Sequence, residues 1–220
     1  MRTLAILSMA ASLLSAADAT KRLESAAEAL KSIMSIPDKT IPQELLAKAY
    51  CIIVVPDLLK GGFIVGGKYG RGFAACRQKN GTGWSAPGAV RVEGGSFGFQ
   101  LGGASTDVIM LMMNEQGMGR LLTTKFTLGG EASAAAGPVG RAAQADTDAA
   151  MTAEILTYSR QRGLFAGIAL NGATLREDAD WNLELYGKKI TNREILSGSV
   201  AAPKAAGSLL MELNRYSSRK

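Results

Sequence analysis

No histidine occurs among the 220 residues. That absence removes Ser-His-Asp and Cys-His catalysis and every metal site that needs an imidazole. Carboxylate pairs and Ser-Lys chemistry are what remain for an enzyme, without the commonest general base. The expected reading is therefore non-enzymatic, with no cofactor and no metal. A clustered Lys/Arg stripe is also missing, so Tyr69, Phe73, Trp84, Phe97 and Phe99 are assigned to sheet packing rather than base stacking. Nucleic acid is not an expected partner. The 26 glycines follow no three-residue period, which excludes collagen, and no internal repeat of fixed length is evident. Cysteine is limited to Cys51 and Cys76, both in apolar strand-like runs. In an exported protein they could pair, but small buried thiols are the expected state.

What is present describes one ordinary globular domain: 47% hydrophobic, 20% charged, net charge +6. The charge favours anionic partners such as phospholipid surfaces. Residues 1–19 read as a secretory signal, with Arg2 as the positive start, Leu4 to Leu14 as the apolar stretch, and Ala17-Asp18-Ala19 as the cleavage site. The apolar stretch is short for a membrane span. The expected location is periplasmic or secreted. The alternative is an ordinary N-terminal helix that runs on into Thr20 to Met34.

The glycine-rich stretch Gly61 to Met113 organises the rest. Glycines there interrupt β-prone residues every few positions, which marks bulges, bends and close backbone approach. The expected fold is α+β, a single domain with a strongly curved, mostly antiparallel, barrel-like glycine-rich sheet and flanking helices. The domain is placed at residues 20–200, with a helical tail over 201–220. Tyr50 to Val55 reads as a strand buried on both faces, ended by Pro56-Asp57. Further strands are expected at Gly62–Tyr69, Gly72–Arg77, Ala89–Val92, Ser96–Leu101 and Asp107–Met113. Turns fall at Lys79–Gly83, Gly94-Gly95 and Asn171-Gly172. Thr20 to Met34 has Leu23, Ala26, Ala27, Leu30, Ile33 and Met34 at helical spacing, with Lys21, Arg22, Glu24, Glu28 and Lys31 opposite. Packing of that helix on its own sheet is the expected use of its apolar face.

Two catalytic motifs fail on context. Gly94-Gly95-Ser96-Phe97-Gly98 fits a nucleophile elbow, but strand residues come after the serine and no histidine exists. Gly70-Arg71-Gly72-Phe73-Ala74-Ala75 fits a loose dinucleotide pattern, but strands flank it on both sides. Glu177, Asp178 and Asp180 are read as the acidic first turn of a helix rather than a metal site.

The series Gly61-Gly62-Phe63-Ile64-Val65-Gly66-Gly67-Lys68-Tyr69-Gly70-Arg71-Gly72, Gly83-Trp84-Ser85-Ala86-Pro87, Phe97-Gly98-Phe99-Gln100-Leu101-Gly102, Leu128-Gly129-Gly130 and Ala136-Gly137-Pro138-Val139-Gly140-Arg141 resembles the SYLF domain family, also called the Ysc84 actin-binding domain. Gly163-Leu164-Phe165-Ala166-Gly167 and Arg193-Glu194-Ile195-Leu196 continue it in order. The resemblance implies a non-enzymatic lipid-binding domain. In eukaryotic members it implies phosphoinositide binding through a basic N-terminal helix and, for some, actin bundling. The matching helix here offers Lys21, Arg22 and Lys31, with Lys68 and Arg71 as second candidates for phosphate contact. Anionic phospholipid is the expected partner, and actin is not expected of an exported chain. The alternative function is a structural or ligand-carrying barrel of the cell envelope holding an apolar molecule.

Overall fold

The computed structural model describes residues 2–36, 40–78, 82–98, 104–140, 152–161 and 164–217, with backbone alone at 2–17, 62–65, 96–98 and 104. The expected turn at Lys79–Gly83 lies mostly outside the described residues.

The fold is α+β, built on one strongly curled half-barrel sheet. Its strands are β1 (Cys51–Cys76), β2 (Gly88–Gly98), β3 (Ala104–Met112), β4 (Lys125–Thr127), β5 (Ala134–Ala136), β6 (Ile155–Gln161), β7 (Leu164–Gly167) and β8 (Thr174–Glu177). The order is β4-β8-β2-β1-β3-β6-β5, with β7 also on β6. Every pairing is antiparallel except β5 with β6.

β1 is the centre of the sheet, and it doubles back on itself. Its first half pairs with β3, from Cys51↔Met112 to Lys60↔Ala104. Its second half pairs with β2, from Ile64↔Gly98 to Ala74↔Gly88. The halves touch in opposite order: the Arg77 amide donates to the Tyr50 carbonyl at 2.8 Å, and Cys51 meets Cys76 at a Cα separation of 4.0 Å. The expectation of buried thiols is therefore corrected, because the two cysteines form a disulfide across the ends of this one strand. Gly72 sits where the halves are closest. A Cβ there would lie 2.1 Å from the Val54 carbonyl oxygen, so only glycine fits.

Pro56-Asp57, expected to end a strand, instead forms a bulge inside β1. The register slips between Val55 and Leu58, and Asp57 takes φ 49°. Proline is tolerated at bulges, where a ladder hydrogen bond is already lost. Gly94-Gly95, expected as a connection, lies within β2 opposite Lys68 and Gly67.

Alternation explains why the apolar runs are continuous. Ile52, Val54, Phe73, Ala75, Ile109, Leu111, Leu156 and Tyr158 point to one core. Cys51, Ile53, Val55, Ala74, Cys76, Val108, Met110 and Ile155 point to the other. That second core also holds Phe126, from the far end of the strand order, so it is the concave side of the curl.

The first core is covered by helices. These are α1 (Arg2–Met34), α2 (Gln43–Lys48), α4 (Ala179–Tyr186) and α6 (Gly207–Ser217), while α3 (Glu115–Leu121) and α5 (Asn192–Glu194) are short. Leu23, Ala26, Ala27, Leu30 and Ile33 of α1 are buried in that core together with Leu209 and Leu213 of α6. The segment expected as a tail beyond residue 200 is thus packed into the domain. Asn114 caps α3 and Asp178 caps α4, while Thr191 with Glu194 completes a capping box on α5. Among the described residues no helix is long and apolar enough to cross a membrane.

Candidate functional site

Lys21, Arg22 and Lys31 project from a stretch of α1 whose apolar face is already occupied. Arg22 Nη1 donates to the Pro56 carbonyl oxygen at 3.2 Å and pairs with Asp57 at 3.3 Å. Lys31 lies 4.0 Å from Glu28, one turn back on the same helix. Lys21 is exposed and borders a groove of about 330 Å³ that also holds Glu24, Glu28, Asp57, Asp107 and Arg160. With four carboxylates against two cations, that groove does not favour an anion.

Arg71 is engaged by α4, with its side chain still 25% exposed. Its Nε lies 3.0 Å from Asp178 Oδ2, and the Asp178 side chain is only 1% exposed. The Arg71 guanidinium also stacks 4.7 Å over the Trp181 ring, whose other neighbour is Phe73 at 5.8 Å. Asp178 has a second duty, because its Oδ1 accepts the Trp181 amide at the start of α4. A buried carboxylate left without its cation is costly, so this arrangement holds α4 on the sheet.

Lys68 is only three residues away but faces the opposite side of β1. There it meets Lys60, which is not among the residues expected from sequence. The Lys60 ammonium is held below the ordinary lysine range, first by burial and then by the Lys68 charge beside it. The local acids are taken by other partners. Asp57 pairs with Arg22, Asp107 with Arg160 at 3.5 Å, and Glu93 with Arg91 at 2.7 Å and Arg176 at 3.4 Å. Among the described residues neither lysine has an ion-pair partner. Two like charges facing each other without a counterion form a site that an anion would relieve.

This pair sits at the turn end of β1, in the nearly symmetric sequence Lys60-Gly61-Gly62-Phe63-Ile64-Val65-Gly66-Gly67-Lys68. The symmetry is the signal that could have found Lys60. A strand that doubles back at its centre brings the two flanking lysines together. Of the five expected site residues, the fold leaves Lys68 at this anion-favouring end. It spreads Lys21, Arg22 and Lys31 along α1 and pairs Arg71 with Asp178 under α4.

A second groove, of about 390 Å³, lies between α4 and α5 and is bordered by Glu177, Asp180, Leu183, Lys189 and Glu194. Two of its carboxylates are engaged locally. Glu177 accepts the Asn192 amide at 2.6 Å, and Glu194 belongs to the capping box. Among the described residues no group of acids or cysteines is arranged to hold a metal ion.

Comparison with known proteins gives a consistent result. The family described as "Ysc84: Las17-binding protein actin regulator" matches residues 93–216, more than half of the chain. The chain is 40% identical over 181 residues to SH3 domain-containing protein PJ696.02 of Schizosaccharomyces pombe, covering 80% of this chain and 41% of that protein. It is 36% identical over 176 residues to Protein YSC84 of Saccharomyces cerevisiae, covering 79% and 37%. With SH3 domain-containing YSC84-like protein 1 of Xenopus laevis it shares 34% identity over 201 residues, covering 88% and 59%. The chain thus spans between about a third and three-fifths of these relatives. The family's description concerns actin regulation, so it gives no support to excluding actin as a partner. The chain belongs to the Ysc84, or SYLF, family.

Proposed function

We propose that this domain is a non-enzymatic module that associates with anionic phospholipid surfaces. One observation carries the reading: half-buried Lys60 and Lys68 face each other at the turn end of β1, and among the described residues no carboxylate pairs with either. Each lysine brought near an anionic leaflet contributes on the order of 1 kcal/mol. Phosphate oxygens are strong acceptors for ammonium donors. In this reading Lys21 is the cation of α1 that, among the described residues, has no ion pair, because Arg22 and Lys31 are paired within the chain and the apolar face is buried.

The carrier alternative is less favoured by the packing. The concave side is filled by Ile53, Val55, Val92, Met110, Phe126 and Leu175, each at most 3% exposed. Actin is a second reading, favoured by the family description. Export through residues 1–19 remains part of the proposal, and N-terminal sequencing of protein recovered outside the cytoplasm tests it. For the lipid reading, the full chain is floated with phosphatidylcholine vesicles and with phosphatidylcholine–phosphatidylserine vesicles. Binding only to the second, and weakening as salt screens the charges, is the expected result. Equal binding to both would contradict the proposal. Co-sedimentation with actin filaments, without vesicle binding, would favour the second reading.

A further inference from the structure

We propose that the same turn end inserts apolar side chains into the bilayer, with Leu59, Tyr69 and Leu164 as the inserted groups. The inference rests on the lipid reading above and names the surface and orientation of binding. Five large hydrophobic residues are exposed among the described residues: Leu59 at 56%, Tyr69 at 44%, Leu164 at 79%, Leu183 at 42% and Met211 at 62%.

Strand register places the first three at one end of the sheet. Leu59 and Tyr69 flank Lys60 and Lys68 at the turn of β1, opposite Ser105 and Glu93. β3 begins at that end, where Ala104 pairs with Lys60. β6 runs antiparallel to β3, with Arg160 opposite Asp107, so β6 ends there. β7 then starts from the same place, with Leu164 opposite Gln161. With adjacent strands about 4.8 Å apart, Leu164 stands roughly 14 Å along this rim from Leu59.

Leu183 and Met211 are elsewhere, on α4 and α6. Three apolar side chains strung along a narrow rim, beside two ammonium groups that have no ion pair among the described residues, suit an interface that is apolar below and anionic at its surface. Tyrosine, with an apolar ring and a polar tip, is favoured at that depth. A protein partner of ordinary affinity would need a broad complementary patch, which a rim does not present. The domain is thereby held with the turn end of its sheet toward the membrane and α1 on its flank.

The full chain is used for the test, with vesicles of phosphatidylcholine and phosphatidylserine carrying brominated acyl chains. Leu164→Trp supplies a reporter, because native Trp84 and Trp181 are buried at 4% and 7% exposure. The expected result is a blue shift and bromine quenching for Leu164→Trp, and neither for Leu183→Trp. Leu59→Ser with Leu164→Ser should weaken vesicle partitioning about tenfold, while Leu183→Ser with Met211→Ser leaves it unchanged. All four positions are exposed, and a thermal melt of each variant serves as the control for folding. If the parent chain floats with the vesicles but the Leu164→Trp signal is unmoved and the Leu59/Leu164 variant binds normally, this inference falls and the lipid reading stands. If the parent chain does not float at all, both fall.

Discussion

Lys68 and Arg71 lie three residues apart on one strand, yet the fold uses them in opposite ways. An odd spacing on a strand puts two side chains on opposite faces. Arg71 points under α4, where Asp178 and Trp181 enclose it. Lys68 points to the other face at the turn, where its charged neighbour is Lys60. The same contrast separates the cations of α1, two of them already paired, from those of the β1 turn. Positive charge alone therefore does not mark a binding site; charge that the fold leaves uncompensated is the better marker.

Substitutions can break this contrast, and the largest effect is expected where β1 doubles back. Gly72→Ala puts a methyl group against the Val54 carbonyl, which backbone cannot yield cheaply. A loss of about 4 kcal/mol in urea unfolding, or failure to fold, is expected. Next is Asp178→Ala, which strands the Arg71 charge and uncaps α4, at about 3 kcal/mol. Lys68→Ala in the same assay should stay within about 0.5 kcal/mol of the parent. Arg71→Met combined with Asp178→Ala should lose less than the sum of the two single changes.

Removing the disulfide by Cys51→Ser with Cys76→Ser should cost about 3 kcal/mol, from the chain entropy restored to an unfolded loop. The sequence separation of 25 residues sets that size.

Lys60→Gln is expected to be the mildest change and to sharpen the comparison through pH. Because the folded pKa of Lys60 is lowered, the unfolded chain binds the proton more readily. The resulting penalty is present at neutral pH and fades as pH rises from the folded pKa toward the ordinary value of 10.5. The parent should therefore gain stability relative to Lys60→Gln across that window, as read from urea midpoints. A difference that stays constant with pH would remove Lys60 from the account.

Much of this fold was legible in local sequence. The apolar face from Leu23 to Ile33, the turn at Asn171-Gly172 and the two-sided burial of Tyr50–Val55 all rest on short-range chemistry. What was not legible depends on residues far apart in the chain. Pro56-Asp57 resembles a strand end, and only pairing with β3 on both sides makes it a bulge. The Cys51–Cys76 bond depends on a reversal centred a dozen residues from either cysteine. The engagement of Arg71 depends on Asp178, which is more than a hundred positions away. Lys60 was legible in principle, since glycine pairs and a lysine stand on each side of Phe63–Val65. Finding it required treating the stretch as one folded-back strand rather than two strands and a stop.

The central claim is that the turn of β1, and not α1, carries the membrane contact. Vesicle flotation of Lys60→Gln/Lys68→Gln beside Lys21→Gln/Arg22→Gln/Lys31→Gln tests it directly, with phosphatidylserine in the vesicles. The β1 pair is expected to weaken binding about 30-fold, from two lysines at on the order of 1 kcal/mol each, while the α1 triple retains most of it. Loss of binding in the α1 triple with the β1 pair unaffected would contradict the account.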